Sequence, residues 1–400
     1  MNLEVPGKFQ LLIEQARQVA NEVFRPISRK YDKLEHHYPV ELDMLASIVD
    51  GMNDGAAQFS VGASKLHHSA TDKKKVNGAT MATILGLQEL CRGDVALALS
   101  LPRQGLGNAV IAAMATDEQR RKFGHLWAAV AVTEPDSGSD AESISTMAVE
   151  DETGYTINGE KIFVTAGQRC DAVVVWATLD KSKGRGAIKP FVVLKKNPGL
   201  FVERLERKLG IKASDTATIR FTDCHVPKES LLGDADADSE KSFSAIMQTW
   251  DDTRPVVAAM AVGLAMACLE RTRKLLGKAG LKLDYGLPSL LCSSVEAEIY
   301  SMEAELEAAR LLTLKAAWMA DNGLVNSKEA AMAKVKAGKM VNDVCLKCVE
   351  ICGAAGYQED EFIEKWARDS KALDIFGGTR QVQQLVIARK VLNKTSSDLK

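Results

Sequence analysis

From residue 7 to residue 125 the apolar positions recur at helical spacing. Phe9, Leu12, Ile13, Ala16, Val19 and Val23 fall on one face, and Pro26 marks an end or a kink. Between Gly51 and Gly78 the apolar density drops and Gly, Ser and Asp become frequent, with Lys73-Lys74-Lys75 near the end, a pattern that reads as loop. Helical spacing returns over Ala79–Cys91 and again from Asp94. Thr116-Asp117-Glu118-Gln119 has the form of a capping box and predicts a further helix start.

From residue 126 to residue 232 the period changes. β-Branched and aromatic residues alternate with polar ones over Thr146–Val149, Tyr155–Asn158, Glu160–Thr165, Ala172–Leu179, Ile188–Leu194, Phe201–Leu205 and Thr216–Thr222. Asn158-Gly159 signals a tight hairpin, and Asp151-Glu152-Thr153-Gly154 a second turn. Short strands with close turns predict an antiparallel sandwich or barrel. Helix resumes from residue 238. Phe243, Ile246, Met247 and Trp250 share a face, and Pro255 starts or kinks the apolar helix Val256–Leu269, expected at the centre of a bundle. Glu296–Ala320, Ser327–Cys352 (closed by Gly353) and Val382–Leu392 complete it. The predicted class is α+β, with an N-terminal helical domain over 1–125, a β domain over 126–235 and a four-helix-bundle-like domain over 236–400.

Composition narrows the function classes. Lys plus Arg number 51 against 53 Asp plus Glu, a net charge of −2, so no nucleic-acid partner is implied. The uncharged run Val256–Leu269 is shorter than a bilayer crossing, and Met1–Pro6 lacks a basic start and an apolar stretch; the chain is expected to be cytoplasmic and without a membrane partner. Eight cysteines in 400 residues do not make a disulfide framework. Cys345, Cys348 and Cys352 fall on one helix face among apolar residues, which suits thiols packed as small hydrophobes better than a metal site.

One loop stands out as candidate chemistry. The apolar run Trp127–Val132 leads into Thr133-Glu134-Pro135-Asp136-Ser137-Gly138-Ser139-Asp140. Such a loop presents backbone N–H groups together with hydroxyls, suited to an anion or the edge of a polar heterocycle; a polar turn between strands is the plainer alternative.

The helix–strand–helix order, with Val-Thr-Glu-Pro-x-x-Gly-Ser-Asp opening the middle segment, resembles the acyl-CoA dehydrogenase family of flavoproteins. Asn158-Gly159-Glu160-Lys161-Ile162-Phe163-Val164-Thr165, Lys208–Thr216, Asp251–Pro255 and Thr379-Arg380-Gln381-Val382-Gln383 support the likeness, which runs from about residue 80 to residue 392. It implies FAD as cofactor and α,β-dehydrogenation of an acyl-CoA thioester. Val132, Thr133, Val164 and Thr165 would border the flavin ring, Phe163 would lie against it where the family usually has Trp, and Ser139 would meet both flavin and thioester. Thr379, Gln381 and Gln383 would meet the ADP half, and Asp251, Arg254 and Ser139 the substrate. An electron-transfer flavoprotein would accept the electrons. The family also takes flavin contacts from a neighbouring subunit. The corresponding segments here, Lys282–Gly286 and Glu350–Ala354, depart from its pattern, so a homo- or hetero-oligomer, dimer or tetramer, is expected.

The catalytic base departs as well. The family's glutamate falls at Gly377, and its alternative placement falls at Thr253; neither is a carboxylate. A shifted carboxylate (Asp252, or Asp251), a base-less subunit beside a competent partner, and enoyl-CoA reduction with a solvent proton all remain, alongside an acyl-CoA-binding scaffold without flavin.

Overall fold

The computed structural model describes residues 5–52, 78–102, 106–233, 239–395 and 398; within these, the side chains of 47–52, 239–252 and 289 fall outside the description. The Gly51–Gly78 loop expectation lies almost wholly beyond the described residues.

The N-terminal helices are α1 (Gln10–Val19), α2 (Arg25–Lys33), α3 (Glu41–Met52), α4 (Ala79–Gly93), α5 (Val95–Ser100), α6 (Leu106–Met114) and α7 (Asp117–Phe123). A single π turn, Ala20–Phe24, joins α1 to α2, and Pro26 sits in the first turn of α2 without ending the helical run. The capping box at α7 is complete: the Thr116 hydroxyl accepts from the Gln119 N–H at 3.2 Å, and the Gln119 carboxamide oxygen accepts from the Thr116 N–H at 3.0 Å.

Seven strands follow: β1 (Ala128–Ala131), β2 (Met147–Glu150), β3 (Gly154–Thr165), β4 (Ala172–Thr178), β5 (Ile188–Leu194), β6 (Leu200–Leu205) and β7 (Thr216–Pro227). Their order is β1-β4-β2-β3-β7-β6, with β5 on the other edge of β4. The sheet is mixed and not wholly antiparallel, because β1 and β2 both run parallel to β4. The Asn158-Gly159 hairpin does not form. β3 continues through it, and the glycine marks a register shift against β7. Gly159, at φ 152°, passes so close to Thr146 that a Cβ would lie 2.5 Å from its hydroxyl; bulge and hairpin both ask for this residue type, and the approach of Thr146 selects the bulge.

The C-terminal helices are α8 (Ser239–Lys278), α9 (Ser294–Asp321), α10 (Ser327–Tyr357), α11 (Ile363–Ile375) and α12 (Arg380–Leu392). Pro255 lies inside the 40-residue α8. Residues Thr253–Lys278 are long and apolar enough to cross a bilayer, but 83% of the apolar window is buried within the bundle, whose core α8 forms. Gly353, at φ 55°, kinks α10 and does not end it. Cys345 and Cys348 are buried in the core that α8 and α10 share with Cys268.

Candidate functional site

The Val132–Asp140 loop is fastened from beneath. Lys161, in the middle of β3, turns inward; its Nζ donates to Glu134 Oε1 at 2.8 Å and to the Val132 carbonyl at 2.9 Å. The two side chains are 0% and 2% exposed. Glu134 also accepts from the Ser145 N–H and hydroxyl, at 2.5 and 2.6 Å, and from the Thr146 N–H at 3.0 Å. Burial alone would raise the Glu134 pKa, but Lys161 and these donors outweigh it and hold the carboxyl down to about 2. Burial pulls the Lys161 amine down to about 8 against the attraction of the same partner. Four donors converge on the two carboxylate oxygens and hold the pair in its ionised form.

With the loop fixed, the Ile162 N–H donates to the Thr133 carbonyl at 2.9 Å, which brings the loop alongside the far end of β3. There the register against β7 shifts again between Lys161 and Val164, and Phe163 takes φ 56°. A bulky residue rarely adopts this conformation, and here it leaves the Phe163 side chain 57% exposed while Val164 is buried behind it. Thr133 and Thr165 are half-buried, and Ser139 is exposed on the loop. Neither threonine hydroxyl bonds to protein among the described residues.

The chain turns sharply after Thr165. Ala166 has φ 60° and is buried. The Asp215 backbone carbonyl accepts from the Ala166 N–H at 3.1 Å, and its carboxylate accepts from the Gln168 N–H at 3.0 Å and from the Arg169 guanidinium at 2.8 and 3.1 Å.

Known proteins share the sequence pattern and the fold of this chain. A model of the acyl-CoA dehydrogenase middle domain matches residues 129–224, and one of the C-terminal domain matches residues 241–392. The mitochondrial short-chain specific acyl-CoA dehydrogenase of Rattus norvegicus is 31% identical over 410 residues, covering 99% of this chain and 93% of that protein. The chain belongs to the acyl-CoA dehydrogenase family. The caffeyl-CoA reductase-Etf complex subunit CarC of Acetobacterium woodii is 32% identical over 384 residues, 94% of this chain and 98% of that protein. Butyryl-CoA dehydrogenase from Megasphaera elsdenii superposes with a TM-score of 0.84 at 30% identity, covering 98% of this chain and all of that one.

Family membership makes the protein an FAD-dependent oxidoreductase, and the local geometry fits the cofactor. A flavin has a flat apolar ring with a polar edge. The exposed Phe163 ring, two hydroxyls without protein partners and a loop anchored by a buried ion pair offer complementary surfaces.

The remaining candidates lie in the C-terminal bundle. Thr379 is the N-cap of α12, its hydroxyl accepting from the Val382 N–H at 3.3 Å, and Gln381 is exposed on the first turn. The Gln383 side chain is buried instead; its Nε2 donates to the Gly377 carbonyl at 3.4 Å, while its Oε1 is buried without a partner among the described residues. Gly377 and Gly378 have φ 69° and 85°. A Cβ on Gly377 would meet Val257 at 3.1 Å, and one on Gly378 would lie 2.2 Å from the Gln383 amide. Thr253 is half-buried and Arg254 buried in α8. Asp251 and Asp252 belong to the same helix, with side chains outside the description.

The sequence reading missed the supports under the site. Glu134 and Lys161 lie inside the quoted motifs without an assigned role. A lysine at an inward strand position, opposite a loop glutamate, is the signal that could have paired them. Asp215 and Arg169 left no local signal, because they meet across 46 residues.

Proposed function

We propose that this chain interconverts a short acyl-CoA thioester with its α,β-unsaturated counterpart and passes the electrons to an electron-transfer flavoprotein. The observation that carries the reading is the exposed Phe163 ring, held at positive φ between Thr133 and Thr165 beside the Lys161-anchored loop. The short acyl class and the partner rest on the relatives, among them a short-chain dehydrogenase, butyryl-CoA dehydrogenase and a subunit of an Etf complex.

In this reading the Thr133 and Thr165 hydroxyls bond the polar edge of the ring, and Phe163 covers part of its apolar face. FAD, when bound, supplies the acceptor for the β-hydride. Ser139, at the loop tip, faces both cofactor and thioester, while Asp251 and Arg254 of α8 serve the substrate side. Thr379 and Gln381, at the start of α12, meet the ADP half, where unpaired N–H groups favour phosphate; Gln383 lies behind them. The subunit works in an oligomer, as homo- or hetero-dimer or tetramer.

Handling of the α-proton distinguishes this chain. Gly377 and Thr253 offer no carboxylate, so Asp252 is the proposed substitute base. A second reading, enoyl-CoA reduction with a proton taken from water, is favoured by the exposed glycine at 377, which leaves backbone where the family has its glutamate.

Purified protein that is yellow, and whose visible band bleaches with butyryl-CoA, supports the dehydrogenase. Yellow protein that bleaches with no acyl-CoA, yet oxidises after chemical reduction when crotonyl-CoA is added, supports the reductase. Protein that stays colourless with FAD overturns both. Undiminished turnover in Asp252→Asn eliminates that residue as the base.

A further inference from the structure

Beneath the β6–β7 loop lies a group of charges that the reaction does not use. Lys365 Nζ sits 2.8 Å from Asp94 Oδ2 and 2.6 Å from Asp369 Oδ2, with all three side chains essentially inaccessible to water. Asp94 caps α5 by accepting from the Leu97 N–H at 2.9 Å, and it also takes the Ser28 hydroxyl of α2. The second Asp369 oxygen reaches out of the bundle. It accepts from the Ile211 N–H at 2.5 Å.

Ile211 belongs to the loop 206–215, which docks on α11 backbone to backbone. A Cβ on Gly210 would lie 2.5 Å from the Arg368 carbonyl carbon, and Arg368 donates to the Leu209 carbonyl at 3.2 Å. Ile211 is buried at φ 53°, a conformation that a β-branched residue adopts only where its surroundings enforce it. Four residues on, the same loop ends in Asp215, which holds the turn Ala166–Arg169. Ser100 braces it between, donating to the Ala213 carbonyl at 2.9 Å. Thr216 pairs directly with Thr165.

Three of the seven described non-glycine residues with positive φ are Phe163, Ala166 and Ile211, and this chain of contacts joins them. Conformations of that kind persist where the structure over-determines them, and they concentrate at working sites.

We propose that the Lys365–Asp369 pair is a positioning device for the flavin edge: by holding Ile211 it sets Asp215, and Asp215 sets the turn that aims Thr165. The inference rests on the reading that Thr165 borders the flavin. Lys365, Asp369 and Asp215 are positioning residues and touch neither cofactor nor substrate. A charge cluster needed for folding alone would make a different prediction, because its loss would lower stability without altering the flavin.

The test compares Asp369→Asn and Asp215→Asn with Asp321→Asn in the full-length flavin-loaded protein. Asp321 is a remote control that caps α4 by accepting from the Thr80 and Met81 N–H groups at 2.9 and 3.0 Å. Asp369→Asn and Asp215→Asn are expected to shift the visible band and the reduction potential of the bound flavin. They should lower kcat about 10- to 100-fold, with KM for the acyl-CoA little changed, as small misplacements of reacting groups do. Lys365→Arg should retain the wild-type band where Lys365→Met does not, and Asp321→Asn should lower Tm alone. The proposal is overturned if Asp369→Asn and Asp215→Asn lower Tm as the control does and leave band, potential and kcat unmoved. Should Asp369→Asn fail to fold, Asp215→Asn and the two Lys365 variants decide. Wild-type protein that takes up no FAD overturns the flavin reading itself, and the inference with it.

Discussion

Lys161 Nζ lies 2.8 Å from Glu134 Oε1 with both side chains shut off from water, and this one ion pair ties the Val132–Asp140 loop to the strand that carries Phe163 and Thr165. Removing one partner leaves the other charge buried and uncompensated. Lys161→Met is therefore expected to cost about 3–5 kcal/mol of stability in denaturant unfolding. The same variant should lose FAD during purification that retains it in the wild type.

The acid limb of stability follows from the same pair. Glu134 is held down to about 2 from an ordinary 4.5, so its contribution is complete above about pH 4.5 and is lost as the pH falls towards 2. Unfolding free energies measured across that window should fall more steeply for wild type than for Glu134→Gln, and the difference between them should shrink as the pH drops. Parallel curves would contradict the assignment.

Phe163 bears on the cofactor and hardly on the fold. Phe163→Ala removes a ring proposed to cover the flavin and should weaken FAD retention about tenfold, close to 1.4 kcal/mol. Because the ring is more than half exposed, Tm of the flavin-free protein should change little. Phe163→Trp should retain FAD at least as well as wild type. Equilibrium dialysis and a thermal melt separate the two effects.

Gly377 is tested by giving it a side chain. At φ 69°, with Val257 3.1 Å from where a Cβ would stand, Gly377→Ala is expected to cost about 1–2 kcal/mol. Gly377→Glu should carry a similar cost. If the missing carboxylate limits proton removal, the same variant should bleach faster than wild type with butyryl-CoA in stopped-flow. A slower or unchanged rate would place the limit elsewhere.

Local chemistry was legible in the sequence; encounters across the chain were not. The Thr116–Gln119 capping box and the Ile188–Leu194 strand depend on neighbouring residues and formed as read. Asn158-Gly159 misled because the glycine signal is shared by bulges, and only the approach of Thr146 decides between bulge and hairpin. The uniform apolarity of Val256–Leu269 correctly indicated a central helix but did not reveal that α8 runs through Pro255. The motif residues Thr133 and Thr165 were visible, whereas the encounters that brace the segment behind Thr165 (Asp215 with Arg169, Asp369 with Ile211, Lys365 with Asp94) join residues 46 to 271 positions apart.

The central claim is that a flavin meets an acyl-CoA thioester at the Thr133–Phe163–Thr165 edge. The visible spectrum of the purified, FAD-supplemented protein, taken before and after anaerobic addition of butyryl-CoA, tests it most directly. The account predicts a yellow protein whose band bleaches on addition in the wild type and is weakened or lost in the Lys161→Met and Phe163→Ala variants. A protein that remains colourless, or a yellow one whose band is the same in those two variants as in the wild type, would contradict it.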